Sequence, residues 1–583
     1  MGKFGYSLLI LILSFFYAIY IRLPEDRLKK YHTNYQKKLT ENGDEHFDFI
    51  IVGAGSAGSV LAKRLSEDPK INVLLLEAGG SDNHLTIKLP STFNLNFNQE
   101  QDWGYDSVPQ PNKSNYTIFS PRGKTLGGSS SINAMIYIRG SAYDYDEWEK
   151  MGFKGWGFDS MLKYFKKSER QLRSKEKINQ DFHGFEGEWK ISDAQRRSVS
   201  DNVIKAFSEE WNLPIADDFN GEKYQREAVG YNQNNVADGE RHSLADAFLT
   251  PDVLSRKNLY VRTNHLVRKI IFEGDIAKGV EIENASGNIE RIFSDKELIL
   301  SAGAYNTPQI LQLSGIGQKE LLNEHKIKVI VDNPHVGANL HDHLTMAFAE
   351  EAHDHIETMD KYDSFPWNII GIVQWLFTKN NELITNLGEG NGFVRSPTAK
   401  ANGENAPDYQ IVFGPCAIVD HGRKKFNIKG GFTYGIVMLN PKDRGTVKIK
   451  SSNPRDSPLI DYDLFSVPGE FERFFEMVKL MKNVRANKNI KNMIKKSLMI
   501  EFDEASDEEI KKEIYKHSFN LYHPVSTASM GKVVDERLKV YNVKNLRIVD
   551  ASIMPVIVRG NTNAPTVAIA EKASDMIKED YGI

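Results

Sequence analysis

Gly53, Gly55 and Gly58, followed by Glu77, are the residues whose spacing most directly implies chemistry. The glycines sit in GAGSAG, directly after the apolar run DFIIV (Asp48 to Val52). A helical pattern through Val60, Leu61 and Leu65 follows, and a second apolar run, Val73 to Leu76, ends in Glu77. This is the spacing of a βαβ unit that binds a dinucleotide. Gly53 permits the tight turn, Gly55 lets backbone approach a pyrophosphate, and Gly58 lets helix and strand pack closely. The helix N-terminus offers free N–H donors and a positive dipole end to phosphate. Glu77 is placed to accept hydrogen bonds from ribose hydroxyls. The unit alone does not separate FAD from NAD. Fifteen histidines supply candidates for general-base chemistry near neutral pH, and spacing does not choose among them. The single cysteine, Cys416, excludes an internal disulfide framework and a multi-cysteine metal site, and reads as a small buried apolar group. No metal site is expected.

The chain around these residues is 583 residues long, long enough for several domains. It is 40% hydrophobic and 26% charged, which excludes disorder for the bulk of the chain and a multi-span membrane protein. Acidic residues number 78 and Lys plus Arg 74, so there is no basic excess to bind nucleic acid. Residues Phe4 to Ile21 are almost wholly apolar, and read as one transmembrane helix and a membrane anchor. Lys3 precedes the run, and Arg22, Arg27, Lys29 and Lys30 follow it, which would keep the remainder cytosolic. Secretion through a signal peptide is the alternative, but no small-x-small cleavage site stands near Ala18 to Arg22. Residues 22–45 are polar and read as a linker.

Three further blocks carry a resemblance. They are GKTLGGSSSINAMIYIRGSAYDYD (Gly123 to Asp146), GAYNTPQILQLSGIG (Gly303 to Gly317), and YHPVSTASMG (Tyr522 to Gly531) with NLRIVDASIMP and GNTNAPTVAIAEKASDMI after it. Together with the glycine fingerprint, they resemble the glucose–methanol–choline (GMC) oxidoreductase family over about residues 46 to 583. GERHSLADAFL (Gly239 to Leu249) and VGANLHDH (Val336 to His343) match it as well.

The resemblance implies FAD held without a covalent bond, because Ile132 stands where some relatives bond a histidine to the flavin. It implies cofactor contacts from Gly53, Gly55, Ser56, Ala57, Gly58, Glu77, Ala78, Gly127, Ser130, Asn133, Ala134, Val267, Asp550, Ala551 and Asn561. Asn133 would meet the isoalloxazine edge, and the Gly127 to Ser130 turn would offer backbone donors. It also selects His523 as the general base for an alcohol's hydroxyl proton, with hydride passing to flavin N5. A base of near-neutral pKa suits that task. Asn563 would hydrogen-bond the substrate oxygen. Its other reading is a helix cap ahead of Pro565. Ser526, in HPVST, departs from the family's usual glycine.

The implied fold is an α/β Rossmann-type FAD-binding domain (46–125 with 225–345 and 532–583) and an α+β substrate domain on an antiparallel sheet (126–224 with 346–531). The implied function is an FAD-dependent dehydrogenase of a small-molecule alcohol, choline-like or glucose-like, passing electrons to a quinone or similar acceptor. An oxidase of sugar or sterol alcohols using oxygen, a flavin lyase and an inactive flavin-binding homologue are the alternatives. Leu439, where the lyase branch has cysteine, and the presence of His523 count against the lyase.

Overall fold

Strand β1 (Glu45–Val52) begins the main sheet of a computed structural model that describes residues 45–583, except Lys425, together with Leu28. The strand's last six residues, DFIIV preceded by Phe47, include four in a row, Phe49 to Val52, that are buried on both faces, as parallel strands between helices are. After β1 come α1 (Ser56–Leu65), β2 (Val73–Leu76), β3 (Leu259–Arg262), β4 (Leu266–Glu273), β5 (Ile276–Glu283), β6 (Ile289–Leu300) and α2 (Gly303–Leu313). Near the C-terminus lie β7 (Leu546–Ile548) and α3 (Asn563–Tyr581).

The seven strands run in the order β3-β2-β1-β6-β5-β4, with β7 also paired to β6. Pairs β3/β2, β2/β1, β1/β6 and β6/β7 are parallel, whereas β4 and β5 form an antiparallel hairpin against the first half of β6. Register is tight where the fingerprint turn begins: Val52 stands opposite Leu76 and Leu300. Three chain crossings therefore end level with one another, at Gly53, Glu77 and Ser301, at the carboxyl edge where α/β sheets bind ligands.

The second sheet has eight strands and is almost wholly antiparallel. Its centre is formed by Leu344–Ala352, Gly431–Met438, Tyr409–Gly414 and Gly390–Val394. Alternation separates its two faces. Phe432, Tyr434, Ile436 and Met438 pack into the apolar cluster that holds Phe474, Met477 and Met481 of the helix Glu470–Ala486. Thr433, one step out of phase, turns with Thr345 and Ala347 toward a cavity between the sheets.

The expected membrane-spanning helix is a correction to the fold. Among the described residues no helix is long and apolar enough to cross a membrane. The run 4–21 that carried the expectation, and nearly all of the linker 22–45, lie outside the described residues. Cys416 is buried beside Leu89, Met359 and Trp375, and no group of side chains suited to hold a metal ion occurs among the described residues. Trp375 and Phe393 are buried in the core, and Trp367 is half exposed.

Candidate active site

A cavity of about 370 Å³ runs from the fingerprint turn to the second sheet. Three helix N-termini open onto it: Gly55 to Ala57 at the start of α1, Ala302 and Gly303 at the start of α2, and Asn561 to Asn563 at the start of α3. Each directs a partial positive charge to the same space, and at α2 the Gly303 N–H is met by Asp550 Oδ2 at 2.9 Å. A buried pair holds two of them in place: Arg64 Nη2 on α1 meets Glu571 Oε1 on α3 at 2.7 Å.

The glycine spacing has a steric reason. Gly53 has φ +98°, and a Cβ there would meet Ser301 O at 2.5 Å. A Cβ on Gly58 would meet Gly53 O at 1.9 Å, so Gly58 serves helix–strand packing and is off the cavity wall. A Cβ on Gly128 would meet Gly55 Cα at 2.7 Å, which locks the second glycine turn against the first. Glu77 Oε2 accepts from Ala54 N at 2.8 Å and Oε1 from Gly79 N at 2.9 Å. Burial pushes its carboxyl up to about 7 against those donors. Ala78, Ala134, Val267 and Ala551 also line the cavity.

Some expected contacts take other roles. Ser130 Oγ donates to Gly127 O at 2.6 Å and accepts from Leu244 N at 3.0 Å, so its side chain closes the turn, and neither it nor Gly127 lines the cavity. Asp550 is on the wall, but both oxygens are committed. Oδ2 accepts from Gly303 N (2.9 Å) and Thr307 Oγ1 (2.6 Å), and Oδ1 from Ser552 N (2.8 Å) and Oγ (2.5 Å). Asn133 Oδ1 accepts from Met135 N at 3.0 Å and from buried Arg241 Nη1 at 2.8 Å, which leaves the amide nitrogen to serve the cavity. Asn563 is the first residue of α3, not its cap. Its Oδ1 accepts from Ser56 Oγ at 2.6 Å, and its buried Nδ2 has no partner. Ser301 Oγ is likewise buried and unpartnered on the wall. Two orphaned polar atoms, converging helix N-termini and glycines that admit close backbone approach are the features of a cradle for a dinucleotide.

His523 lies deeper, 9% exposed. Its backbone N donates to Asp342 Oδ1 at 2.8 Å, which also accepts from His343 N at 2.8 Å. Its Nδ1 meets His343 Nδ1 at 3.0 Å, and its Nε2 faces Asn561 Nδ2 at 3.2 Å. The side chain opposite the imidazole is therefore Asn561, not Asn563. Gln410 Nε2, from the second sheet, donates to Asn561 Oδ1 at 3.3 Å and so turns the amide nitrogen toward His523. Burial, reinforced by His343 and the Arg122 guanidinium, holds the His523 imidazole well below the usual histidine range. That departs from the near-neutral base expected from the reaction alone. Burial likewise pushes His343 down to about 3.

Asp342, His343, Arg122 and His421 join the site without having been singled out. Asp342 and His343 close the VGANLHDH block, and Arg122 directly precedes the GKTLGG block, so both lay at the edges of recognised motifs. Ser526 has φ +74° and is fully buried with its hydroxyl unpartnered. This is left-handed backbone, which explains why glycine is the favoured residue there.

Family comparison agrees with this geometry. Residues 47–345 and 441–570 match the N- and C-terminal GMC oxidoreductase models. The chain is 39% identical to an alcohol dehydrogenase [acceptor] of Pseudomonas putida, over 91% of this chain and 95% of the relative. It is 36% identical to the mitochondrial choline dehydrogenase of Mus musculus, over 92% and 90% respectively. Among solved structures, an FAD-dependent oxidoreductase from Chaetomium thermophilum superposes with TM-score 0.82 at 28% identity, covering 92% of this chain and all of that one. A formate oxidase of Aspergillus oryzae superposes at 0.84 with 26% identity, covering 94% of this chain and 100% of that one. The fold, the cradle and the matched blocks together place the chain in the GMC oxidoreductase family, as an FAD-dependent oxidoreductase.

Proposed function

We propose that the protein oxidises a small-molecule alcohol to its carbonyl, with His523 as the base, and passes the electrons to a quinone or similar acceptor. The observation that carries the reading is an imidazole nitrogen, His523 Nε2, on the wall of the cofactor cavity with an amide donor 3.2 Å away. Bound FAD supplies the hydride acceptor.

The chain's own groups set the proton arrangement. Two Nδ1 atoms at 3.0 Å admit one proton between them. Gln410 turns the Asn561 amide nitrogen toward His523 Nε2, so that nitrogen of the ring is an acceptor and the neutral imidazole carries its proton on Nδ1. His343 Nδ1 then accepts from His523 Nδ1–H, and His523 Nε2 keeps its lone pair toward the cavity. This tautomer is assigned from the partners. An alcohol entering between His523 and Asn561 donates its hydroxyl proton to Nε2. Asn561 Nδ2 donates to the oxygen and supports its developing negative charge. The three helix N-termini add positive potential to the same space.

Glu77, the Gly53 to Ala57 turn, Asn133, Ala134, Val267 and Ala551 hold the cofactor in this reading, with Asn563 Nδ2 as a further donor. Retention is non-covalent, because Ile132, which lines the cavity, carries no nucleophile. The test is an anaerobic panel of alcohols followed by flavin absorbance. Bleaching by at least one supports the reading; a flavin that no alcohol reduces overturns it.

A further inference from the structure

We infer that the substrate chamber selects neutral alcohols with an apolar carbon skeleton and rejects quaternary-ammonium alcohols; this rests on the alcohol-oxidising reading above and narrows it. Beyond His523 the wall is formed by Phe93, Phe97, Phe413, Ile418, Phe519 and Tyr522. The aromatic rings brace one another: Phe97 meets Phe93 and Tyr522 edge to face, each at 6.0 Å between centroids, and Phe519 lies 6.1 Å from Tyr522. Such a surface gains from covering methylene groups. By itself it could also offer cation–π contact to an ammonium group.

Charge decides between the two. Among the described residues the only carboxylates on the cavity wall are Glu77 and Asp550, both at the cofactor end and both engaged as described. Two buried carboxyls near the chamber are off the wall. Asp342 Oδ1 holds the His343 and His523 backbones, its Oδ2 is buried without a partner, and burial pushes the carboxyl up to about 7. Asp102 accepts from the backbone N–H groups of Asn98, Gly104 and Arg122. Asp420 is spent on Arg423 at 2.7 Å. The permanent charge that does line the chamber is positive. Arg122 Nη1 donates to Tyr522 O at 2.7 Å, and no carboxylate lies within ion-pair distance of its guanidinium among the described residues. Arg423 sits 4.5 Å over the Phe119 ring behind the wall. His421, the remaining titratable group there, is pushed down to about 4 by burial and then by Arg423, and is neutral at pH 7. A quaternary ammonium entering the chamber would lose its hydration, meet no carboxylate on the wall around it and face a guanidinium. A neutral chain of the same shape meets none of these costs.

The experiment uses the FAD-loaded enzyme and an isosteric pair: choline and 3,3-dimethyl-1-butanol, which differ in one charged nitrogen against one carbon, with 1-octanol as a longer apolar probe. Anaerobic flavin reduction gives kcat/KM for each. The neutral isostere should exceed choline by about 100-fold or more, the order of effect for a buried charge left unpaired, and 1-octanol should also reduce the flavin. Choline reacting as well as or better than its isostere overturns this inference and leaves the alcohol-oxidising reading intact. Reduction by no alcohol at all overturns both.

Discussion

His523 and His343 meet Nδ1 to Nδ1 at 3.0 Å, with their rings at 86° to each other. Neither nitrogen is exposed to bulk water, and only one proton fits between them. The contact fixes which nitrogen of His523 is free to act, as the partner of a catalytic histidine does in other base-catalysed sites. Replacing His343 with Ala should therefore leave FAD bound and slow flavin reduction. Asn at the same position, which keeps a side-chain acceptor, should recover part of the rate. Equal loss in both variants would mean that His343 only fills space.

The pH dependence of kcat/KM follows from burial. A histidine held well below its usual range stays unprotonated to lower pH than 6.5. The active form is the free base, so activity is complete above the folded-state pKa and is lost as pH falls through it. The acid limb should lie well below the ordinary histidine value of 6.5. A limb at 7 or above would show that His523 is not the titrating base, or that its surroundings differ in the loaded enzyme.

Asn561 and Asn563 should separate by phenotype. Asn561→Ala removes the donor facing His523 Nε2 and should lower kcat/KM by about 10- to 100-fold, the range for a hydrogen bond to a charged group, with FAD retained. Asn563→Ala breaks the bond from Ser56 Oγ and should weaken FAD retention more than turnover of the loaded enzyme. Stopped-flow reduction and flavin content of the purified variants distinguish them, and the reverse pattern would restore Asn563 to the substrate.

The fold was legible because its signals are local. The DFIIV run, the glycine turn, the Val73 to Leu76 run and Glu77 lie within one short stretch, and the structure sets Val52 beside Leu76 in parallel register. The site was legible only in part, because its contacts join residues far apart in sequence. His343 and His523 are 180 residues apart, and no periodicity in either segment points to the other. Asn561 and Asn563 are separated by one residue at a helix start, where small differences in backbone direction decide which side chain faces the histidine. Ser130 stands among the expected cofactor contacts through the family resemblance, with the backbone donors of its glycine-rich turn as the physical reason. Only the position of Leu244 N shows that the hydroxyl is spent inside the turn.

Ser526 carries a stability cost that can be measured. At φ +74°, fully buried and with its hydroxyl unpartnered, it should be improved by glycine. Ser526→Gly should stabilise the protein by about 1 kcal/mol, the typical penalty of left-handed backbone for a residue with a Cβ. A higher thermal unfolding midpoint is the readout. An unchanged or lower midpoint would mean that the side chain contributes packing that outweighs the strain.

Acid precipitation of the purified protein should release all its flavin to the supernatant, since Ile132 cannot bond the ring. Yellow colour retained in the washed pellet would contradict non-covalent retention.

The most direct test of the central claim compares wild-type protein with His523→Ala at equal FAD content. Each is mixed anaerobically with an alcohol that reduces the wild type, and flavin absorbance is followed. The variant should bleach about 10²- to 10⁴-fold more slowly, the contribution of a positioned general base. Bleaching at the wild-type rate would remove His523 from the chemistry.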